Sequence, residues 1–240
     1  RGLGDVYKRQ DTDLFSLTRL HRTVETMNQP LVHIDNVSKS FKGTEIFRSA
    51  SMEIEENRIH GLQGPNGSGK SVLFKMIVGL QRPDSGSIRL DQSLRSPRAD
   101  FPTEVGVVID RPAYLGHLTG LENLLDLARI RRVIGPDEAA AAMERVGLDP
   151  SLKQKARNYS LGMKQKLSIA QAFMEGQRMI ILDEAFNGLD DSSVERIRTL
   201  LHELREEGRT VLLTSHNQAD IDAVCQNVWK IDQLQICRTR

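Results

Sequence analysis

Eight consecutive residues, Gly64-Pro65-Asn66-Gly67-Ser68-Gly69-Lys70-Ser71, carry the pattern G-x-x-x-x-G-K-S. Glycines at this spacing let successive backbone N–H groups converge on phosphate oxygens, and a helix starting at the lysine adds partial positive charge. Lys70 then supplies a point charge to the β- and γ-phosphates, and the Ser71 hydroxyl suits Mg2+. A second segment, Met179-Ile-Ile-Leu-Asp183-Glu184, is an apolar run that ends in adjacent carboxylates. Ending a buried strand in two acids is costly unless a cation or a reacting group uses them. A solvated or helix-capping acid pair is the plain alternative. Together the two segments point to a phosphate-bearing ligand and a divalent cation.

The elements around these residues must hold them in register. Residues 31–41, LVHIDNVSKSF, alternate as a strand does, and a second stretch follows near 51–54. A strand over 58–62 leads into the glycine loop, and a helix over 70–80 leaves it. Thr119 with Glu122 and Ser192 with Glu195 read as capping boxes that start two helices. Gly208 stands where a glycine closes the second helix before a strand at 210–214. Runs at 105–109, 179–182 and 211–213 are apolar at nearly every position, as strands buried on both faces of a parallel sheet require. The text between about 111 and 175 reads as helical throughout, an insertion in an alternating β/α core.

The 240 residues hold 33 Lys+Arg against 32 Asp+Glu, and a net charge of +1 gives no reason to expect a nucleic-acid partner held by bulk electrostatics. No apolar run reaches the roughly 18 residues that a membrane span needs. Cys225 and Cys237 have no metal-ligand spacing around them, so neither a disulfide framework nor a zinc site is indicated. The first ten residues, RGLGDVYKRQ, resemble a translated library tail and contain no secretory apolar core. Residues 1–28 are therefore expected to be a disordered or artefactual leader to a domain at 29–240.

Tyr159-Ser160-Leu-Gly162-Met-Lys-Gln-Lys166 changes the weight of the two phosphate segments, because it resembles the signature motif of ABC-type ATPases. Leu161 and Met163 stand where that motif usually has Gly and Gln, a variation similar to the YSLGMKQ form of bacterial exporters. Asn187-Gly-Leu-Asp190 resembles the D-loop of the family, Thr214-Ser-His216 its switch histidine, and the 179–184 segment its Walker B strand. The resemblance implies a P-loop NTPase core of mainly parallel sheet, an antiparallel β subdomain and a helical subdomain at about 111–175. It also implies that Asp183 holds Mg2+, that Glu184 polarises the attacking water, and that Ser160 and Gly162 grip ATP bound to a second subunit. Phe41, 23 residues before Gly64, fits the aromatic that stacks on adenine, with Phe47 as its rival; either is also an ordinary core residue.

One departure is informative. Most of the family ends the strand at 105–109 in glutamine, whereas this chain has Asp110. Ile109-Asp-Arg-Pro-Ala-Tyr, with Leu118-Thr-Gly-Leu-Glu-Asn-Leu124 after it, resembles the bacitracin and lantibiotic exporter branch. That resemblance implies a metal-proximal acid at the junction with a membrane subunit; an ordinary strand-end aspartate is the alternative. Arg129, Arg131 and Arg132 are either a solvated helix end or a contact with a membrane subunit or anionic lipid. The implied protein is an ATP-hydrolysing export subunit at the cytoplasmic face of the membrane. It would work as a homodimer or heterodimer, with the transport path on a separate permease chain. A soluble ABC ATPase acting on ribosomes or DNA is the first rival, and a module that has lost hydrolysis is the second.

Overall fold

The computed structural model describes residues 30–96, 99–110 and 114–240; the expected leader and Arg111–Ala113 lie outside them. Strands β1 (Val32–Phe41), β2 (Thr44–Ile54) and β4 (Ser85–Leu90) form one sheet in the order β2-β1-β4, with both pairs antiparallel. Lys42 and Gly43 both take positive φ, 47° and 85°, between the last β1–β2 pair, Phe41 and Thr44. Positive φ at both central residues is the tight hairpin geometry whose twist matches the flanking strands. β2 begins well before the expected 51. Its alternation is clean from Ala50 to Ile54 but breaks at Ser49, whose φ is 50°, so Phe47 returns to the buried face out of phase. Such a bulge hides the first half of a strand from any period-two reading.

The second sheet has the order β5-β6-β7-β3-β8-β9. β5 (Val105–Val108), β6 (Met179–Leu182), β7 (Thr210–Leu213), β3 (Ile59–Gln63) and β8 (Asn227–Asp232) run parallel, and β9 (Gln235–Arg238) returns antiparallel to β8. Every residue of β6 and of β7 is buried. Ile180 and Leu182 enter one apolar cluster while Met179 and Ile181 enter the other, which is why the strand is apolar without alternation. This is the α/β architecture expected, with its antiparallel β portion.

Six helices are described: α1 (Lys70–Ile77), α2 (Gly120–Arg131), α3 (Pro136–Arg145), α4 (Leu161–Phe173), α5 (Asp191–Glu206) and α6 (Gln218–Val224). The capping box at Thr119 is complete: its hydroxyl accepts from Glu122 N at 3.2 Å, and Glu122 Oε2 accepts from Thr119 N at 2.6 Å. The box expected at Ser192 is corrected. α5 starts earlier, and Asp190 caps it by accepting from Ser193 N at 2.8 Å. An ionised carboxylate at a helix N-terminus outcompetes a hydroxyl two residues on, because it also meets the helix dipole. Gly208, at φ 86°, follows the end of α5 as expected. The stretch after residue 113 is not helical throughout. Arg132 and Gly147 adopt positive φ after α2 and α3, and Thr119 pairs with Lys155 as an isolated antiparallel bridge.

His60 on β3 is fully buried, and its Nε2 donates to Glu55 O at 2.9 Å. Burial pushes its pKa down from 6.5 to about 4. The native state therefore holds the neutral ring, while the unfolded chain takes up a proton below pH 6.5. Stability is full above that pH and falls as pH drops towards 4, by on the order of 3 kcal/mol in all. Urea unfolding followed between pH 7 and 4.5 should show this loss, and His60→Met should flatten it. An unchanged slope in the variant would contradict the assignment.

Candidate functional site

β3 delivers the chain to the glycine loop, and α1 carries it away. Gly69, the N-cap of α1, has φ 104°, and a Cβ there would lie 2.5 Å from Ile46 Cγ2 and 2.9 Å from Phe47 Cζ. Only glycine satisfies both the left-handed backbone and that close approach. Lys70 is buried, and its Nζ donates back to Gly64 O at 2.8 Å and Pro65 O at 3.1 Å, so the loop curls around its ammonium. Ser68 Oγ is buried beside it without a hydrogen-bond partner. The loop thus combines a concave backbone, a buried cation and an unmatched hydroxyl, a combination that suits phosphate oxygens.

Asp183 follows β6 and is buried. Its Oδ1 accepts from Thr214 Oγ1 at 2.8 Å and its Oδ2 accepts from Ser71 Oγ, while its backbone N donates to Val108 O at 2.8 Å. The carboxylate therefore joins the start of α1 to the end of β7, and the backbone of the same residue ties β6 to β5. Among the described residues no group of three or more His, Cys, Asp or Glu is placed to hold a metal. A hydroxyl beside one carboxylate fits Mg2+ shared with substrate phosphates and water, rather than a cation held in an all-protein cage.

Glu184 has φ 54°, a costly backbone for a residue with a Cβ. Hydrogen bonds to both its backbone and its side chain hold it. The backbone N donates to Thr214 Oγ1 at 2.7 Å, and the carbonyl accepts from Gln165 Nε2 at 3.1 Å. His216 Nε2 donates to Oε1 at 2.7 Å, and Asn187 Nδ2 donates to Oε2 at 3.3 Å. Gln165 was not singled out by its sequence. It is buried on α4 and also donates to Ala185 O at 3.1 Å. The signal was available: Gln165, Ser168, Ile169 and Ala172 form one stripe at helical spacing, and a lone amide in such a stripe needs a partner. Glu184 and His216 line a cleft of about 460 Å³ with Asn187, Arg198, Ser215 and Asp220.

The remaining expected residues fall in four places. Ser160 caps α4, its Oγ accepting from Met163 N at 3.1 Å, and a Cβ on Gly162 would lie 2.8 Å from Gly188 O. This N-terminus therefore packs on the Asn187–Asp190 turn. Asp190 is held by α5, and hydrogen bonds from Ser193 and Ser192 pull its pKa below the ordinary range. Phe41 is 39% exposed with Lys39 Nζ 5.1 Å from its ring centre, while Phe47 is buried in the core. Of the two rivals only Phe41 is exposed. Asp110 has φ 61°, and its Oδ2 lies 2.6 Å from Lys75 Nζ on α1. Arg131 pairs with Glu104 at 2.7 Å and Glu175 at 3.2 Å, and Arg129 with Asp126 at 3.5 Å.

The described residues include no helix long and apolar enough to cross a membrane. Residues 47–187 match the family described as ABC transporter. The chain is 36% identical over 212 residues to the uncharacterized ABC transporter ATP-binding protein YdbJ of Bacillus subtilis, covering 88% of this chain and 69% of that one. It is 34% identical to the bacitracin transport ATP-binding protein BcrA of Enterococcus faecalis, covering 81% of this chain and 64% of BcrA. The lantibiotic transport ATP-binding protein SrtF of Streptococcus pyogenes is 30% identical over 80% of this chain and 82% of its own. A solved ATP-binding subunit of an ABC transporter superposes with a TM-score of 0.77 at 23% identity, over 87% of this chain and 89% of that one, a likeness of fold. Glycine loop, Asp183–Glu184 strand end and α4 cap all lie within the matched span, and the chain belongs to the ABC transporter family of ATP-binding proteins.

Proposed function

We propose that this chain binds and hydrolyses Mg2+-ATP to power export of a small molecule or peptide through a separate membrane subunit. The observation that carries the reading is the Ser71–Asp183–Thr214 contact, which brings the phosphate loop to the strand end bearing Glu184. Gly64 to Ser71 cradle the phosphates, and Lys70 exchanges its two carbonyl partners for β- and γ-phosphate oxygens. Phe41 stacks on adenine. Mg2+, held by Ser71 and Asp183, would offset phosphate charge. Asp110 acts on the loop through Lys75 and α1, so the metal ligands proposed narrow to Ser71 and Asp183. Glu184 takes a proton from water as the water oxygen bonds to the γ-phosphorus and the bond to the β-phosphate oxygen breaks, yielding ADP and phosphate. His216 orients that carboxylate.

The exposed cap at Ser160, with Gly162 and the Asp190 turn behind it, faces a second ATP-binding subunit and grips that subunit's nucleotide. Work at the cytoplasmic face of the membrane, bound through a permease, agrees with the transport roles named for BcrA and SrtF.

Two variants test this. Glu184→Gln should retain ATP, slow turnover by roughly a hundredfold or more, and accumulate as a dimer with Mg2+-ATP on size-exclusion chromatography. A monomer that hydrolyses normally would overturn both roles. Ser160→Arg should leave ATP affinity of the monomer nearly intact while hydrolysis collapses. Equal losses in both would contradict the shared site.

A further inference from the structure

His216 is held from in front by Glu184, and a second set of contacts holds the turn behind it. Ser215 Oγ donates to Asp220 Oδ2 at 2.8 Å and accepts from Asn217 N at 3.1 Å, so one hydroxyl bridges both neighbours of His216. Asp220 sits in the first turn of α6 with its side chain only 4% exposed. Its other oxygen, Oδ1, accepts from Arg198 Nη2 at 2.6 Å, and Arg198 reaches it from α5, the helix that the Asp190 turn starts. Glu195 holds the other end of the guanidinium. The ordinary reading of such a pair is a strut between two helices. Two facts point further: both oxygens of a buried carboxylate are taken, one by the turn carrying His216, and Asp220, Arg198, Ser215, His216 and Glu184 all line the same cleft. A buried, doubly bonded carboxylate is rigid, because moving it would leave charge unpaired.

We propose that Asp220, anchored by Arg198 and acting through Ser215, is a positioning residue that sets His216 against Glu184. The chain of contacts runs Arg198, Asp220, Ser215, His216, Glu184, with each link a named hydrogen bond or a peptide neighbour. It ties α5, and so the turn facing a second subunit, to the orientation of the carboxylate that receives the proton. The inference rests on reading Glu184 and His216 as the reacting pair.

The test uses the full chain. Ser215→Ala cuts the link without leaving a buried charge, and Asp220→Asn weakens it while keeping one oxygen acceptor. Without nucleotide, the imidazole resonance of His216 should move in Ser215→Ala towards the position that Glu184→Ala produces, since both release the ring. With Mg2+-ATP, kcat should fall about tenfold while KM stays within about twofold. Asp220→Asn should follow it. In a His216→Ala background, Ser215→Ala should cost nothing more, because a residue acting through His216 has nothing left to position. An imidazole resonance unmoved by Ser215→Ala, or an undiminished loss in the His216→Ala background, would overturn the proposal. If His216→Ala itself hydrolyses ATP like the wild type, it is the reacting-pair reading that falls, and the nucleotide-free resonance still reports on the link.

Discussion

A buried carboxylate needs partners for both oxygens, and Asp183 finds them in two hydroxyls from opposite ends of the domain: Ser71 on α1 and Thr214 after β7. Those contacts span 112 and 31 residues of sequence. Thr214 does more, since the same Oγ1 accepts the backbone N of Glu184 and so holds that residue at φ 54°. The strained backbone turns the Glu184 side chain towards His216 and away from the core. Removing the aspartate would therefore release the phosphate loop from the strand end and leave Thr214 with half of its role.

The sheet order explains why these groups can meet. β3, which feeds the phosphate loop, lies beside β7, and β7 lies beside β6. All three run parallel, so Gln63, Leu182 and Leu213 finish at one edge, where α/β proteins gather their ligands. The apolar strands deliver the loop, Asp183 and Thr214 to that edge without contributing chemistry themselves.

Local patterns made much of this legible. The glycine loop declares itself because phosphate binding demands residues with no alternative at fixed spacing, and β6 declares itself because burial on both faces excludes polar residues. Ser49 and Asp190 show where local reading stops. A bulge shifted the phase of β2, and a carboxylate displaced a plausible serine cap on α5. Gln165 showed in its helical stripe only that it needs a partner, and Lys75 and Asp220 were silent, for a different reason. Each acts on a group from another element, Gln165 on the Glu184 carbonyl, Lys75 on Asp110 and Asp220 on Ser215 with Arg198, and no periodicity encodes the choice among many polar partners. Asp110 itself was visible as an oddity, yet only its contact with Lys75 shows which way its charge faces.

Ser71 and Asp183 are bonded to each other in this structure, and in the proposed mechanism they would together hold a divalent ion beside bound ATP. Mn2+ titration followed by electron paramagnetic resonance, with and without ATP, tests this directly. One tightly bound ion per chain is expected only when ATP is present, with an affinity about tenfold or more lower in Asp183→Asn, by analogy with the cost of losing metal-supporting contacts. Metal-free ATP binding should change far less. Mn2+ held equally well without ATP, or equally well by the variant, would contradict it.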